Sequence, residues 1–458
     1  MTRQRIFVLD VGKTNVKAAV FDAAGAQLFE RTARNAPLPG PPYPHADTGK
    51  IWAFCLAALR EAGVAHDIDA IVVTTHGATG ALIGEDDLAL PVLDYEYAAV
   101  EEIEADYARL RPPFAQTLSP PLSAGLNLGR QLAWQARRFP QGFARARRLL
   151  MYAQYFTWRL TGTAVLEATS LGAHTDLWMP QQGAPSALMQ ALGLMQILPP
   201  MVRAYDVAGK LKPAIARDCG LKQAPDVFAG IHDSNASILP HLARRAPPFT
   251  VVSSGTWVVL FGLGLSLEGL DPALDQLANI DVEGRPVACA RFMGGREYAA
   301  IAGADPARPA LADIDEIIAH GVYALPNFAG GSGPFPDSIA RIEGAAASPA
   351  ARAGLATLYV ALMTDYGLER LGAAQGDLLV EGSFADSEHF CSLLAALRSS
   401  QAVIVSRGAA GTARGAAMLA NWPPTSMPAE DAWRATAYAD AAALEVYRRE
   451  WRRRVGVT

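Results

Sequence analysis

A chain of 458 residues, 51% hydrophobic and 19% charged, is too apolar for a disordered protein and too long for one ordinary core, so two domains are expected. A net charge of -5 excludes a broad nucleic-acid-binding surface and points to a small-molecule partner. Cys55, Cys219, Cys289 and Cys391 lie far apart with no Cys-x-x-Cys pair, which signals neither a zinc site nor a disulfide framework. With no long apolar run and no apolar signal segment before the first strand, the expectation is a cytoplasmic, soluble protein that makes no membrane contact.

Residues 5–9, rich in β-branched and aromatic side chains, read as a first strand with Asp10 at its mouth. Gly12 permits a tight turn, and 16–22 continues as a second strand. An acid there can hold magnesium. Gly12, Thr14 and Asn15 offer backbone N–H and hydroxyl donors to phosphate oxygens, and Lys17 adds a fixed positive charge. An ordinary hairpin turn has the same composition. The Gly-x-x-x-x-Gly-Lys-Ser/Thr spacing of a P-loop is absent.

A third strand follows at 27–33, then a proline-rich loop, a helix over 52–62 and a strand over 68–75 that runs into His76-Gly77-Ala78-Thr79. An imidazole and a hydroxyl there can serve a polyhydroxy ligand, or His76 can satisfy a buried backbone group; the spacing allows both. Pro91 to Tyr97 reads as a short strand whose acidic end, Glu96, can cap such a pocket. Residues 126–162 read as largely helical, and 226–231 as one strand ending in His232-Asp233 before a helix over 234–239. Asp233 can take a proton from a sugar hydroxyl, or it can be the N-cap of that helix. The basic runs at 145–148 and 448–454 read as solvated helix faces.

Arg244 to Pro248 breaks the pattern, and the domain boundary is placed there, giving 1–245 and 246–458. Phe249 to Phe261 then repeats the opening strand, turn and strand, now with Ser254, Gly255 and Thr256 in the turn as phosphate contacts rather than a second metal ligand. Helices are expected over 350–371 and 387–397. A strand and turn are expected over 377–385, and a strand over 403–406. Gly408 to Gly415 should lead into a small-residue helix against which a nucleotide base or ribose can pack.

These stretches resemble the FGGY family of carbohydrate kinases over nearly the whole chain. Leu9 to Lys17 is most similar to the opening of L-fuculose kinases, Val252 to Trp257 to fuculose and rhamnulose kinases, and His76 to Thr79 to xylulose kinases. Where family members carry a glycine run and then Ser-Arg-Asn, this chain has Glu381-Gly382-Ser383-Phe384-Ala385-Asp386, and Lys13 replaces a small or hydroxyl residue. The resemblance implies an α/β, actin-like ATPase fold (ribonuclease H-like) of two similar domains around a cleft. The front domain would hold the sugar and the catalytic base, and the rear domain the nucleotide.

It also implies ATP, Mg2+ and transfer of the γ-phosphoryl group to a ketopentose, a 6-deoxyketohexose or a related short ketose. Asp233 would be the general base and Asp10 the magnesium ligand. Gly12, Lys13, Thr14, Asn15, Lys17, Ser254, Gly255, Thr256, Gly382 and Ser383 would face the nucleotide. His76, Gly77, Thr79, Glu96, His232 and Asp233 would face the sugar. A homodimer is compatible with this reading. The competing reading is a catalytically idle sugar or nucleotide sensor on the same fold.

Overall fold

The computed structural model describes residues 2–303, 306–346, 348–406, 411–425, 427 and 430–457. The chain divides into two compact units. The first comprises 1–244 with two later returns, 278–286 and 410–429; the second comprises 245–277, 287–409 and 430–458.

In the first unit, β1 (Arg5–Val11), β2 (Asn15–Asp22) and β3 (Gln27–Arg34) form an antiparallel meander. The helix α1 (Thr48–Ala65) then returns the chain so that β4 (Ala70–Thr75) lies parallel to β1. Strands β5 (Val207–Lys210) and β6 (Asp226–Phe228) complete the order β3-β2-β1-β4-β6-β5, and the two-residue β7 (Ile231–His232) also pairs with β4. The expected single strand over 226–231 is thus two pieces, because Gly230 at φ +92° turns the chain between them.

The period-2 alternation of a strand decides what faces what. Phe7, Leu9 and Val11 point with Ile71 and Val73 into a core shared with Ile51, Cys55 and Leu59 of α1 and with Tyr155 and Phe156 of α2 (Tyr152–Thr161). Ile6 and Val8 point with Ala70 and Val72 to the other face. There they meet Ala236 and Leu239 of α3 (Asp233–Leu242). Asp10 follows Ile6 and Val8 in this alternation, so it lies on the face that carries α3.

Further sequence expectations fail in this unit. Residues 91–97 form no strand, since Leu93 makes only an isolated bridge to His45. The run 126–162 is not continuous helix: helices Leu128–Arg138 and Pro140–Ala144 precede the strand Arg148–Met151, which pairs with Gly80–Ile83, and α2 follows. Leu149 and Leu150 are apolar at a spacing that suits either element, and only the partner strand separates the two.

The second unit repeats the sheet. Strands β8 (Phe249–Ser254) and β9 (Val258–Leu263) form the hairpin, β10 (Pro286–Phe292) adds to β9, and β11 (Leu378–Gly382) and β12 (Val403–Ser406) follow in parallel. The order β10-β9-β8-β11-β12 reproduces β3-β2-β1-β4-β6, and β13 (Ala432–Arg434) borders it. A buried 22-residue helix, α4 (Pro349–Arg370), fills the core of this unit.

The basic run at 448–454 is only partly a solvated face. It lies on the helix Ala441–Val455, and Arg448 and Arg452 turn inward to ion-pair with the buried Asp365 at 2.8 and 3.2 Å. A buried carboxylate needs such partners. The 145–148 run also differs from expectation, since Arg148 begins a strand rather than sitting on a helix. Among the described residues, no helix is long and apolar enough to cross a membrane.

Candidate active site

The first unit brings Asp10, Lys13, His76, Thr79, Tyr95, His232 and Asp233 into one constellation at the carboxyl ends of β1, β4 and β7. Asp10 is opposite Lys17 across the hairpin and opposite Thr74 in the parallel pair. Burial pushes the Asp10 carboxyl up from 3.8 to about 7; the nearby Asp233 charge adds to this and Lys17 opposes it. The two acids therefore share one electrostatic environment.

Asp233 is the first residue of α3 and does not cap it: the cap position falls on His232, and no side chain accepts there. Its Oδ1 accepts from the neighbouring Ser234 N–H at 2.6 Å and from the Ser234 hydroxyl at 3.3 Å. An N-cap would accept from a residue two or three further on. The carboxylate is partly exposed and available to a ligand.

His232 is 5% exposed, and both its ring nitrogens are engaged. Its backbone N–H donates to Thr169 Oγ1 at 3.1 Å; Thr169 is itself held by buried Glu167, which accepts the Thr169 and Ser170 N–H groups. Its Nδ1 lies 3.1 Å from Asn235 Oδ1 and its Nε2 lies 3.2 Å from Asp233 Oδ1. Asn235 Nδ2 donates to the Ile280 carbonyl, which leaves its Oδ1 to accept from His232 Nδ1–H, and Asp233 Oδ1 can accept from Nε2–H when the ring carries both protons. A Cβ on Gly77 would stand 2.6 Å from Nε2, so the turn after β4 packs directly against this imidazole and a larger residue there would displace it. His232 is thus buried with its ring between Asn235 and Asp233; the family resemblance implied a place facing the sugar.

Asn235 was not singled out from sequence, although its spacing of three residues from His232 was a usable signal. Asn235→Ala should lower kcat more than it raises any KM, because it frees the ring that backs Asp233. It should also cost about 1–3 kcal/mol in chemical denaturation, from buried groups left unpaired.

His76 Nδ1 lies 3.1 Å from Gly77 O and 3.3 Å from Thr79 Oγ1, with the rings of Tyr95 and Tyr152 against it. Burial holds its pKa below the usual histidine value, against the pull of Asp233. It thus satisfies local groups and also lines a pocket with Lys13, Asn35, Thr79, Asp94 and Tyr95. Lys13 ion-pairs with Asp94 and, at 3.2 Å, with Glu96, and its Nζ lies 4.5 Å from the Tyr95 ring centroid. In this structure Lys13 and Glu96 are thus each other's partners, although the sequence had assigned them to nucleotide and sugar separately. Gly12 N–H donates to Asn15 O at 3.0 Å to close the turn, Thr14 and Asn15 are exposed, and Lys17 lies 3.4 Å from Glu30.

The second unit gathers the other candidates. Ser254 is opposite Gly382 in the β8–β11 register; its hydroxyl donates to Glu381 O at 2.6 Å and accepts from Phe384 N–H at 2.9 Å. This side chain braces the turn. Gly255, Thr256, Gly382 and Ser383 are exposed beside it. At φ +80°, with a Cβ 1.9 Å from Ser254 O, residue 382 admits glycine alone. Phe384 is buried, stacked on Phe390 at 5.2 Å, and so belongs to the core. Ser254→Ala should cost about 1–2 kcal/mol of unfolding free energy, read from a denaturant midpoint, because it leaves the Phe384 N–H without its acceptor.

The helix expected to pack a nucleotide is Thr412–Met418, whose Ala413, Ala416 and Ala417 pack on Ala236 and Leu239 of α3 within the first unit. Its small residues serve helix packing. Residues 408–410 of that stretch lie outside the described residues.

Two mixed sheets of the same strand order, each led by an antiparallel hairpin, define an actin-like ATPase fold. The chain belongs to the FGGY family of carbohydrate kinases: the family's N-terminal domain model matches 5–240 and the FGGY C-terminal domain model matches 246–428. A solved carbohydrate kinase from Novosphingobium aromaticivorans is 37% identical, covering 98% of this chain and 100% of that one, with a TM-score of 0.91. An L-fuculokinase of Salmonella typhi is 28% identical over 57% of this chain and 57% of its own length. The L-xylulose/3-keto-L-gulonate kinase of Escherichia coli is 25% identical over 63% of this chain and 58% of its own. The chain therefore spans well under two thirds of the length of these curated relatives.

Proposed function

We propose that this protein is an ATP-dependent kinase of a short ketose, with Asp233 as general base. The observation that carries the reading is the placement of Asp10 and Asp233. Strands β1 and β7 flank β4, with Asp10 opposite Thr74 and His232 opposite Thr75, so the acid ending β1 and the acid starting α3 reach the same end of the sheet, close enough for their charges to interact. Asp233 would take the proton of the acceptor hydroxyl as its oxygen attacks the γ-phosphorus of ATP, and the ADP oxygen would leave from the opposite side. His76 and Thr79 would meet the sugar, while His232, held by Asn235, would keep the Asp233 carboxylate aimed. Thr14, Asn15 and Lys17 in the first unit and Gly255, Thr256, Gly382 and Ser383 in the second would contact the nucleotide.

Among the described residues there is no cluster of three or more His, Cys, Asp or Glu side chains that could cage a metal. Magnesium needs none, since it is commonly held by one or two carboxylates together with substrate phosphates. Asp10, whose charge is opposed by burial and by Asp233, is a carboxylate that such a cation would relieve. Bound there, Mg2+ would neutralise charge on the phosphates.

The test is ADP release over a panel of L-xylulose, D-xylulose, D-ribulose, L-fuculose, L-rhamnulose and 3-keto-L-gulonate. Turnover stimulated by at least one sugar supports the kinase. Binding of sugar and ATP with no stimulated turnover would replace it with the idle sensor.

A further inference from the structure

The pocket beside the proposed base carries an unusual balance of charge. Lys13 is the one permanent cation among the described residues that line it, and Lys13 is already matched by two carboxylates, Asp94 and Glu96. Asp94 is close to buried, its side chain 9% exposed, and it also accepts the Glu96 N–H at 3.1 Å. Asp233 adds a further negative charge, near enough to act on both Tyr95 and His76. The fixed charges therefore sum to an excess of negative.

We propose that Lys13, Asp94 and Glu96 form a charge gate that admits uncharged polyhydroxy ketoses and rejects their carboxylated counterparts. The proposal rests on the sugar-kinase reading and names the substrate class of that site. A hydroxyl group can donate to Asp94 or Glu96 without disturbing Lys13, because each carboxylate accepts several hydrogen bonds. A substrate carboxylate has only the third Lys13 N–H and neutral donors such as Asn35 and Thr79 to reach for. It must do so against the repulsion of Asp94, Glu96 and Asp233, with no uncommitted cation lining the pocket among the described residues. The Tyr95 ring, already under the Lys13 ammonium, offers its remaining surface to sugar C–H groups.

The experiment compares binding of L-xylulose and of 3-keto-L-gulonate by isothermal calorimetry at fixed ionic strength, alongside ADP release for both. Wild-type protein should bind the neutral sugar about tenfold or more tightly over the acid. Glu96→Gln, at an exposed position where folding is not at stake, should move the ratio toward the acid by roughly threefold or more. Lys13→Met should move it the opposite way, and Asp94→Asn should follow Glu96→Gln; a thermal midpoint on each variant separates misfolding from selectivity.

Equal or tighter binding of the acid by wild type would overturn the gate. So would a ratio that neither Glu96→Gln nor Lys13→Met changes, or the failure of any ketose to bind. Discrimination in binding without ADP release leaves the gate standing and removes the kinase. ADP release as fast with 3-keto-L-gulonate as with L-xylulose removes the gate and leaves the kinase.

Discussion

Asp233→Asn should bind ketose and ATP nearly as wild type does and lose roughly 10²–10⁴-fold in kcat, the usual worth of a positioned general base. The substitution preserves shape. Its amide can still accept from the Ser234 N–H that Asp233 now holds at 2.6 Å. The amide cannot take up a proton near neutral pH, so the acceptor hydroxyl would have to attack while still protonated. The same change removes the neighbouring charge that helps raise Asp10. Turnover within a few-fold of wild type, measured with a sugar that wild type accepts, would show that Asp233 is a structural residue of the helix start.

Asp10→Asn should do two opposite things. In the folded chain the carboxyl titrates at about 7 instead of 3.8, so between those values the folded protein keeps a proton that the unfolded chain releases. Stability on this account falls as pH rises through that window, and the full penalty stays in force above it. An asparagine carries no such penalty. The metal-free, nucleotide-free variant should therefore be more stable than wild type at pH 8, by about 2 to 4 kcal/mol in chemical denaturation, and the advantage should vanish near pH 4.

The same variant should lose its response to Mg2+ and most of its turnover, because the carboxylate proposed to hold the cation is gone. Added Mg2+ with a non-hydrolysable ATP analogue should raise the thermal midpoint of wild type and leave Asp10→Asn unmoved. A variant less stable than wild type at pH 8, or one that responds equally to Mg2+, would remove Asp10 from this role. Together the two substitutions separate the parts assigned to the acids. One should abolish proton removal and spare binding; the other should abolish the metal response and stabilise the empty protein.

What could be read from the chain depended on the range of the interaction involved. The opening strand, its turn and the recurrence of that pattern at 249–261 are encoded in residues a few positions apart, as alternating apolar side chains around Gly and Thr turns. The sheet orders β3-β2-β1-β4-β6 and β10-β9-β8-β11-β12 agree with that recurrence. The acids at positions 10 and 233 stood out because a charged residue that ends an apolar strand is conspicuous in any window.

Other features are set by partners far away in sequence, and no local pattern carries them. Residues 148–151 are strand because Gly80–Ile83 pairs with them, although their apolar spacing also suits a helix. Arg448 and Arg452 point inward because Asp365 is buried under them. Lys13 lies in the phosphate-like turn yet reaches Asp94 and Glu96, more than eighty residues on. Ser254, which has the composition of a phosphate contact, spends its hydroxyl on the turn at 381–384. The sequence by itself determined which residues are candidates for the chemistry, since charge and turn geometry are local properties. Only the tertiary structure decided which of them pair with each other, since a polar side chain is committed by whichever partner the folded chain brings within hydrogen-bond reach.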